Sequence, residues 1–183
     1  PEYNLEWGKI LYKTDKIHEA EEKLINAAET SPDNPEIFFR LGLCYMKDKN
    51  FDKAQEFYEK AIEINPDNSV YNAEYGLVLY EKKDYEKALS VFIKTISESP
   101  DKAYLYFYAG NCCFKLNRFK KSCEYYEKTI QYFPEHKEAY INYSLCLTEM
   151  NNYKEALRKI RSAYQINRNS EKVLLVYALC DLN

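Results

Sequence analysis

The chain contains four glycines, Gly8, Gly42, Gly76 and Gly110, and each stands 34 residues after the one before. Four prolines keep the same step, Pro32, Pro66, Pro100 and Pro134. A fixed period of this length marks an internal repeat, and repeats grow by stacking copies of one small unit rather than by closing a single core. Gly42 also interrupts a run, RLGLCYMK, whose apolar spacing is helical. An interior helical glycine costs about 1 kcal/mol relative to alanine, so each unit must depend on the missing side chain.

Counted from the first residue, the units run 1–34, 35–68, 69–102, 103–136 and 137–170 without insertion, leaving 171–183 as the first helix of a sixth, truncated or capping unit. Within each, a first segment of about 13 residues shows apolar residues three and four apart, as in Phe38, Leu41, Gly42 and Tyr45. A turn such as KDKN at 47–50 follows. The second segment repeats the helical period with Ala54, Tyr58 and Ala61 and stops at Asn65 and Pro66, because proline cannot continue a helix. Each unit therefore predicts a helical hairpin, and the chain an all-α fold of about eleven helices. Gly42 is expected to face Ala54 and Ala61 of the second helix, small against small, with Tyr45 and Tyr58 interlocking around the contact. The small pair recurs as Ala20 with Ala27, Ala88 with Thr95, Ser122 with Thr129, and Ala156 with Ala163.

A 34-residue helix pair with Leu41, Gly42 and Tyr45 in its first helix, Ala54, Tyr58 and Ala61 in its second and Pro66 closing resembles the tetratricopeptide repeat. Trp7 and Gly8, and Gly76, Ala88, Phe92 and Pro100, extend the resemblance across essentially the whole chain. It departs from the pattern at Cys113, at Asn4 and Asn72, where a bulky apolar residue is usual, and at Arg168 in place of the closing proline. The resemblance implies a right-handed α-solenoid, a superhelix of stacked hairpins, serving as a protein–protein interaction scaffold.

Composition excludes several other functions. The formal net charge is −3, with 26 basic and 29 acidic residues interleaved, so no broad field would draw in nucleic acid or an anionic membrane. RNA-reading helical repeats need regular base-reading polar residues and cationic surroundings, which the variable, near-neutral lining lacks. No apolar run approaches the roughly 20 residues that span a bilayer, and no basic-then-apolar leader opens the chain, which reads as soluble. Cys44, Cys112, Cys146 and Cys180 share one place in the repeat, filled elsewhere by Ile10 and Val78, so they read as small core residues in a reducing, cytoplasmic compartment. Cys113 and Cys123 could face each other across one hairpin, but no second pair of metal ligands accompanies them, and His18 and His136 lie in other units. With every glycine placed at a helix joint and no nucleophile beside either histidine, neither a phosphate loop nor an acid–base constellation remains. No cofactor, metal or catalytic residue is expected.

Stacked hairpins present a concave side lined by first helices, and the stripe away from the glycine face takes the second, sixth, ninth and thirteenth places of each unit, with the fifth and twelfth at its margin. In the first two units this stripe is mostly charged: Glu2, Glu6, Lys9 and Lys13, then Glu36, Arg40, Leu43 and Lys47. In the fourth it reads Tyr104, Tyr108 and Asn111, with Phe107 and Phe114 at the margin, flanked by Val70, Leu77 and Tyr80 from the third unit and Ile141, Asn142 and Leu145 from the fifth. Such a cluster predicts a groove for a partner's peptide or amphipathic helix, with Asn111 and Asn142 bonding its backbone. The bland alternative is that individual aromatics simply pack between units. A chaperone C-terminus clamp, which some members of the resembling family carry, would use Asn111, Asn142 and Lys172, but Phe107 and Val176 stand at its other two places, so the forked grip of an arginine is missing. A third reading is a self-assembly module. EKVLLVYALCDLN, from Glu171, is apolar almost all round, so either further helices follow or this end pairs with another copy.

Overall fold

The computed structural model describes residues 2–166, and among these it contains ten α-helices. They are α1 (Glu2–Lys13), α2 (Ile17–Thr30), α3 (Pro35–Lys47), α4 (Phe51–Ile64), α5 (Ser69–Glu81), α6 (Tyr85–Glu98), α7 (Ala103–Lys115), α8 (Phe119–Tyr132), α9 (Lys137–Glu149) and α10 (Tyr153–Ile166). The eleventh expected helix, with Lys172, Val176 and Cys180, falls outside the described residues. Two compact units divide the chain, one running to Val91 and the other from Phe92. In the first, α1 pairs with α2 and α3 with α4, while α2 also packs on α3 and α4 on α5. In the second, α7 pairs with α8 and α9 with α10, and α8 packs on α9.

Local chemistry sets the helix limits. Asn34, Asn50 and Asn68 cap α3, α4 and α5 with side-chain oxygens that accept backbone N–H groups of the first turn, and Pro35 opens α3 where its missing N–H goes unused. Every turn inside a hairpin places one residue in the left-handed region: Asp15, Lys49, Lys83, Asn117 and Asn151, with φ between 57° and 65°. None of the five is glycine, so nothing in the sequence pattern announces this turn.

Gly8, Gly42 and Gly110 do lie against the second helices, but the atoms nearest to their missing side chains belong to a larger residue than the small pair. A Cβ at Gly42 would come within 2.5 Å of Tyr58 Cδ1, one at Gly110 within 2.7 Å of Tyr126 Cε1, and one at Gly8 within 2.7 Å of Leu24 Cγ. The hollow left by the absent side chain is thus filled by the large residue midway between the two small ones. Ala54 and Ala61, fully buried, let the backbones close so that the ring of Tyr58 can seat. In the second unit, Ser122 Oγ adds a hydrogen bond of 2.8 Å to the carbonyl of Gly110.

Two other departures from the repeat pattern are resolved by local bonding and packing. Buried Asn72 donates from Nδ2 to the carbonyls of Pro66 (2.9 Å) and Asn68 (3.2 Å), so its amide ties α5 to the preceding turn. The described cysteines, Cys44, Cys112, Cys113, Cys123 and Cys146, are all buried thiols. Burial pushes the thiols of Cys44 and Cys112 up to about 12, which leaves them inert. Cys146 Sγ donates to Ser122 Oγ at 3.2 Å, and the neighbouring thiols of Cys123 and Cys146, packed in one core, hold Cys123 below and Cys146 above the usual thiol range. Cys123 thus packs as a small core residue where α8 meets α9.

Candidate functional site

The first-helix stripe has to be taken one unit at a time. In the second unit it centres on three polar side chains. Tyr126, on α8, donates its hydroxyl to Asn111 Oδ1 on α7 at 2.7 Å, and Asn142 Nδ2 on α9 donates to the same oxygen at 2.9 Å. Both lone pairs of Asn111 Oδ1 are therefore occupied, which fixes the orientation of its amide. Among the described residues no hydrogen bond engages Asn111 Nδ2 or Asn142 Oδ1. The pair presents one donor and one acceptor, the two groups that a peptide unit requires.

The aromatic residues around it divide into two kinds. Tyr104 is 40% exposed, and Tyr108, half-buried, stacks on Phe92 with ring centroids 5.8 Å apart. Phe107 is instead part of the packing: its ring lies 4.5 Å from His136 and 6.0 Å from Tyr126. Burial among these rings holds His136 below the usual imidazole range, and its Nδ1 accepts the Ala139 N–H at the start of α9. Phe114 packs on Phe119 and Leu145 against the α8–α9 core, both half-buried. Ile141 is 1% exposed and belongs to that core. The fifth place of each unit, expected at the groove margin, is in fact a seam residue, since Leu5, Phe39 and Ala73 are buried like Ile141. Phe107 and Ile141 are accordingly framework for the stripe rather than surface upon it. Phe107 also fills a place where the chaperone clamp needs a lysine, and Lys172 lies outside the described residues.

In the first unit, Val70 is 50% exposed, Leu77 is half-buried and Tyr80 is half-buried with its ring at 5.3 Å from Tyr85. Several charged members of this stripe are engaged: Lys9 reaches Glu6 (2.8 Å) and Glu36 (2.9 Å), Arg40 reaches Glu36 (3.1 Å), and Lys47 pairs with Asp15 of the α1–α2 turn. One member escaped the sequence reading. Glu74, at the sixth place of the third unit, is half-buried, has no hydrogen bond or ion pair among the described residues, and burial holds its carboxyl above the usual carboxylate range. The signal was present in the sequence, because Val70, Tyr71, Leu77 and Val78, its neighbours at helical spacing, are all uncharged.

Two further groupings bear on ligands. On the outer side of the first unit, His18 and Glu21 on α2 and Asp48 after α3 bring their ligand atoms within 4.8 Å of one another, a proximity that spacing along the chain did not show. These groups are largely solvated, and Glu21 already accepts the hydroxyl of Tyr45. On α1, Tyr3 and Trp7 stack at 6.1 Å and, with Ile10, are 73%, 41% and 51% exposed. The same three places on α3 hold Ile37, Leu41 and Cys44, each 1% exposed beneath α2. Ile10 thus departs from the buried slot that the repeat assigns to it, because among the described residues no second helix precedes α1. No helix among the described residues is long and apolar enough to cross a membrane.

Comparison with known proteins supplies the class. Sequence profiles of the tetratricopeptide repeat match residues 35–68 and 114–171, and a profile described as anaphase-promoting complex, cyclosome, subunit 3 matches residues 58–129. None of these is a catalytic family. The chain belongs to the tetratricopeptide repeat proteins. No curated protein matches its sequence. Among solved structures it resembles YrrB, described as a tetratricopeptide repeat protein with an unusual peptide-binding site, with a TM-score of 0.85 at 16% identity over 96% of this chain and 90% of that one. It also resembles MamA from Desulfovibrio magneticus RS-1, with a TM-score of 0.88 at 18% identity over 93% and 96% of the two chains. Likeness at such low identity establishes the fold, an all-α solenoid of helical hairpins, and no more.

Proposed function

We propose that the protein is a non-catalytic interaction scaffold whose first-helix face receives a partner's peptide or amphipathic helix, with units 1–34, 35–68, 69–102, 103–136 and 137–170 as the repeats that build this face. The observation that carries the reading is the Asn111–Asn142 pair, oriented by Tyr126, with a donor and an acceptor uncommitted among the described residues, two turns along α7 from the exposed ring of Tyr104. Amides oriented in advance bind a backbone at lower entropic cost than mobile ones, and an aromatic neighbour supplies an anchor. YrrB, described as having a peptide-binding site, gives the reading a precedent on the same fold.

Selection of displayed random peptides on the purified protein tests it. Enriched peptides should bind at least about tenfold more weakly, a loss of about 1.4 kcal/mol, to a Tyr104→Ala, Asn142→Ala variant whose melting temperature is unchanged. No enrichment, or equal binding by the variant, overturns the proposal. Phe107 is unsuited to this test because its ring supports the core.

The α1 face favours a second reading, self-assembly. Tyr3, Trp7 and Ile10 repeat the surface that α3 buries under a second helix, so a second helix is the matching occupant, and another copy of the chain can supply one. Trp7→Glu should then lower the mass seen by light scattering at high concentration, and a wild type that stays monomeric throughout would exclude the reading. Expected pairing through the C-terminal helix involves residues outside those described.

A further inference from the structure

We propose that Glu74 and the hydroxyl of Tyr58 form a subsite for a cationic side chain, an ammonium or guanidinium carried by the segment that lies on the first-helix face of the first unit. This rests on the reading of that face as a partner-binding surface and adds the chemistry of one residue of the partner.

Tyr58 is fully buried, and its hydroxyl has no hydrogen-bond partner among the described residues. A buried hydroxyl left unpaired is costly, so the one orphan among the described buried side chains calls for a partner outside the core. Glu74 is the second orphan. Their places in the repeat make them neighbours: Tyr126 and Asn142, 68 residues further on, meet at one oxygen of Asn111, and the charge of Glu74 adds to the burial that pushes the Tyr58 hydroxyl up.

The repeat shows what is missing between them. Two repeats further on, the places of Tyr58, Leu43 and Glu74 are held by Tyr126, Asn111 and Asn142, and there the central Asn111 Oδ1 accepts from both neighbours. In the first unit the central place is Leu43, which offers no polar atom, so phenol and carboxylate are left without a bridge. A donor that enters between them must satisfy a carboxylate rather than an amide. The nearby cations do not serve: Arg40 is committed to Glu36 and Lys47 to Asp15, and no positive charge acts appreciably on Glu74.

An incoming ammonium or guanidinium can donate to the carboxylate and to the phenol oxygen together, and bonds to an ionised acceptor are roughly twice as strong as neutral ones. Leu43, Val70 and Leu77 supply apolar walls for the methylene stem that such side chains carry. An anionic residue would meet Glu74 unfavourably, and a neutral apolar one would leave both orphans buried.

Titration of the isotope-labelled protein with Nα-acetyl-lysine amide, followed by NMR, tests the subsite. Saturable shifts should appear at the backbone amides of Tyr58, Glu74 and Leu77, be absent with Nα-acetyl-norleucine amide, vanish in Glu74→Gln and weaken several-fold in Tyr58→Phe. Neither substitution removes a group that bonds to the fold, and unchanged melting curves verify this. Equal shifts with the norleucine compound, persistence in Glu74→Gln, the same shifts from sodium or calcium chloride, or no saturable shift would each overturn the proposal. Peptides selected on the protein that still bind Glu74→Gln with equal affinity would remove this subsite while leaving the scaffold reading intact. Absence of any selected peptide would strike the scaffold reading instead.

Discussion

Tyr58 in the first unit and Tyr126 in the second occupy the same place two repeats apart, and their rings have the same fate. Each is buried, at 0% and 1% exposure, in the hollow of a glycine on the facing helix. Their hydroxyls differ. That of Tyr126 donates to Asn111, which also holds Asn142, whereas that of Tyr58 finds Leu43 in the corresponding place and no partner among the described residues. The remaining repeats put Leu24, Phe92 and Ile160 there, all fully buried and none with a hydroxyl. Packing therefore requires a large apolar body at this place and nothing more. What the hydroxyl meets is decided by the ninth place of the first helix and the sixth of the next, which belong to the exposed stripe. The two units share a framework and differ in the surface it carries.

The shared half of this comparison carries the largest expected effects. Gly42→Leu and Gly110→Leu should each destabilise by about 1–3 kcal/mol, since either side chain would enter space held by a buried tyrosine ring. Chemical denaturation of both variants measures this. A loss in one unit without the other would mean that the two joints are not equivalent.

The divergent half is tested by removing one oxygen from each ring. Tyr126→Phe should cost about 0.5–1.5 kcal/mol, the net worth of a hydrogen bond, and should loosen Asn111 and Asn142 together. Tyr58→Phe should be neutral or stabilising, because it removes an orphaned group and keeps the ring. Equal losses at the two sites would show that the Tyr58 hydroxyl is bonded after all and would weaken the cation subsite with it.

These contrasts also show how far the residues speak before any coordinates. The hairpins were legible because the repeat encodes side-chain size: glycine, alanine and proline recur at fixed places, and size decides how closely helices pack. The partner of each glycine was less so, because Ala54, Tyr58 and Ala61 all lie on one face and only geometry tells which of them fills the hollow. The left-handed turn residues were not visible, since Asp15, Lys49 and Asn117 share a backbone conformation without sharing a residue type. At the candidate site, Asn111 and Asn142 were found from their places in the stripe, but Ile141 and Phe107 were read as surface because a fifth place lies at the seam, where a few degrees of helix rotation separate groove from core. Glu74 does not stand out in the sequence, because a carboxylate in a stripe of apolar residues matters only through what it lacks.

A smaller effect should follow from making the first unit resemble the second. Leu43→Asn restores the central amide between Tyr58 and position 74, and a cycle with Tyr58→Phe isolates its bond to the hydroxyl from the loss of leucine packing. A favourable coupling of about 0.5–1.5 kcal/mol is expected. No coupling would place the hydroxyl out of reach of position 43 and break the correspondence between the units.

The smallest expected effect is the pH dependence of Glu74→Gln. Burial raises the carboxyl of Glu74 in the folded protein above its ordinary value. Below that ordinary value the group is protonated both folded and unfolded, and wild type and variant should be almost equally stable. As pH rises through the raised value, the folded wild type must ionise a carboxyl that has no counter-ion, and the stability that protonation supplied is lost. Near neutral pH the glutamine variant should therefore melt slightly higher, with the difference disappearing as the solution is acidified from about pH 8 to about pH 3. The neighbours do not blur this window: Tyr58 and Tyr12 are both raised from a range that already lies above it, and Lys47 is raised as well. Nα-acetyl-lysine amide supplies the missing counter-ion, so adding it near neutral pH should shrink the gap between wild type and variant. A gap that ignores the amide would leave Glu74 a strained carboxylate and nothing more.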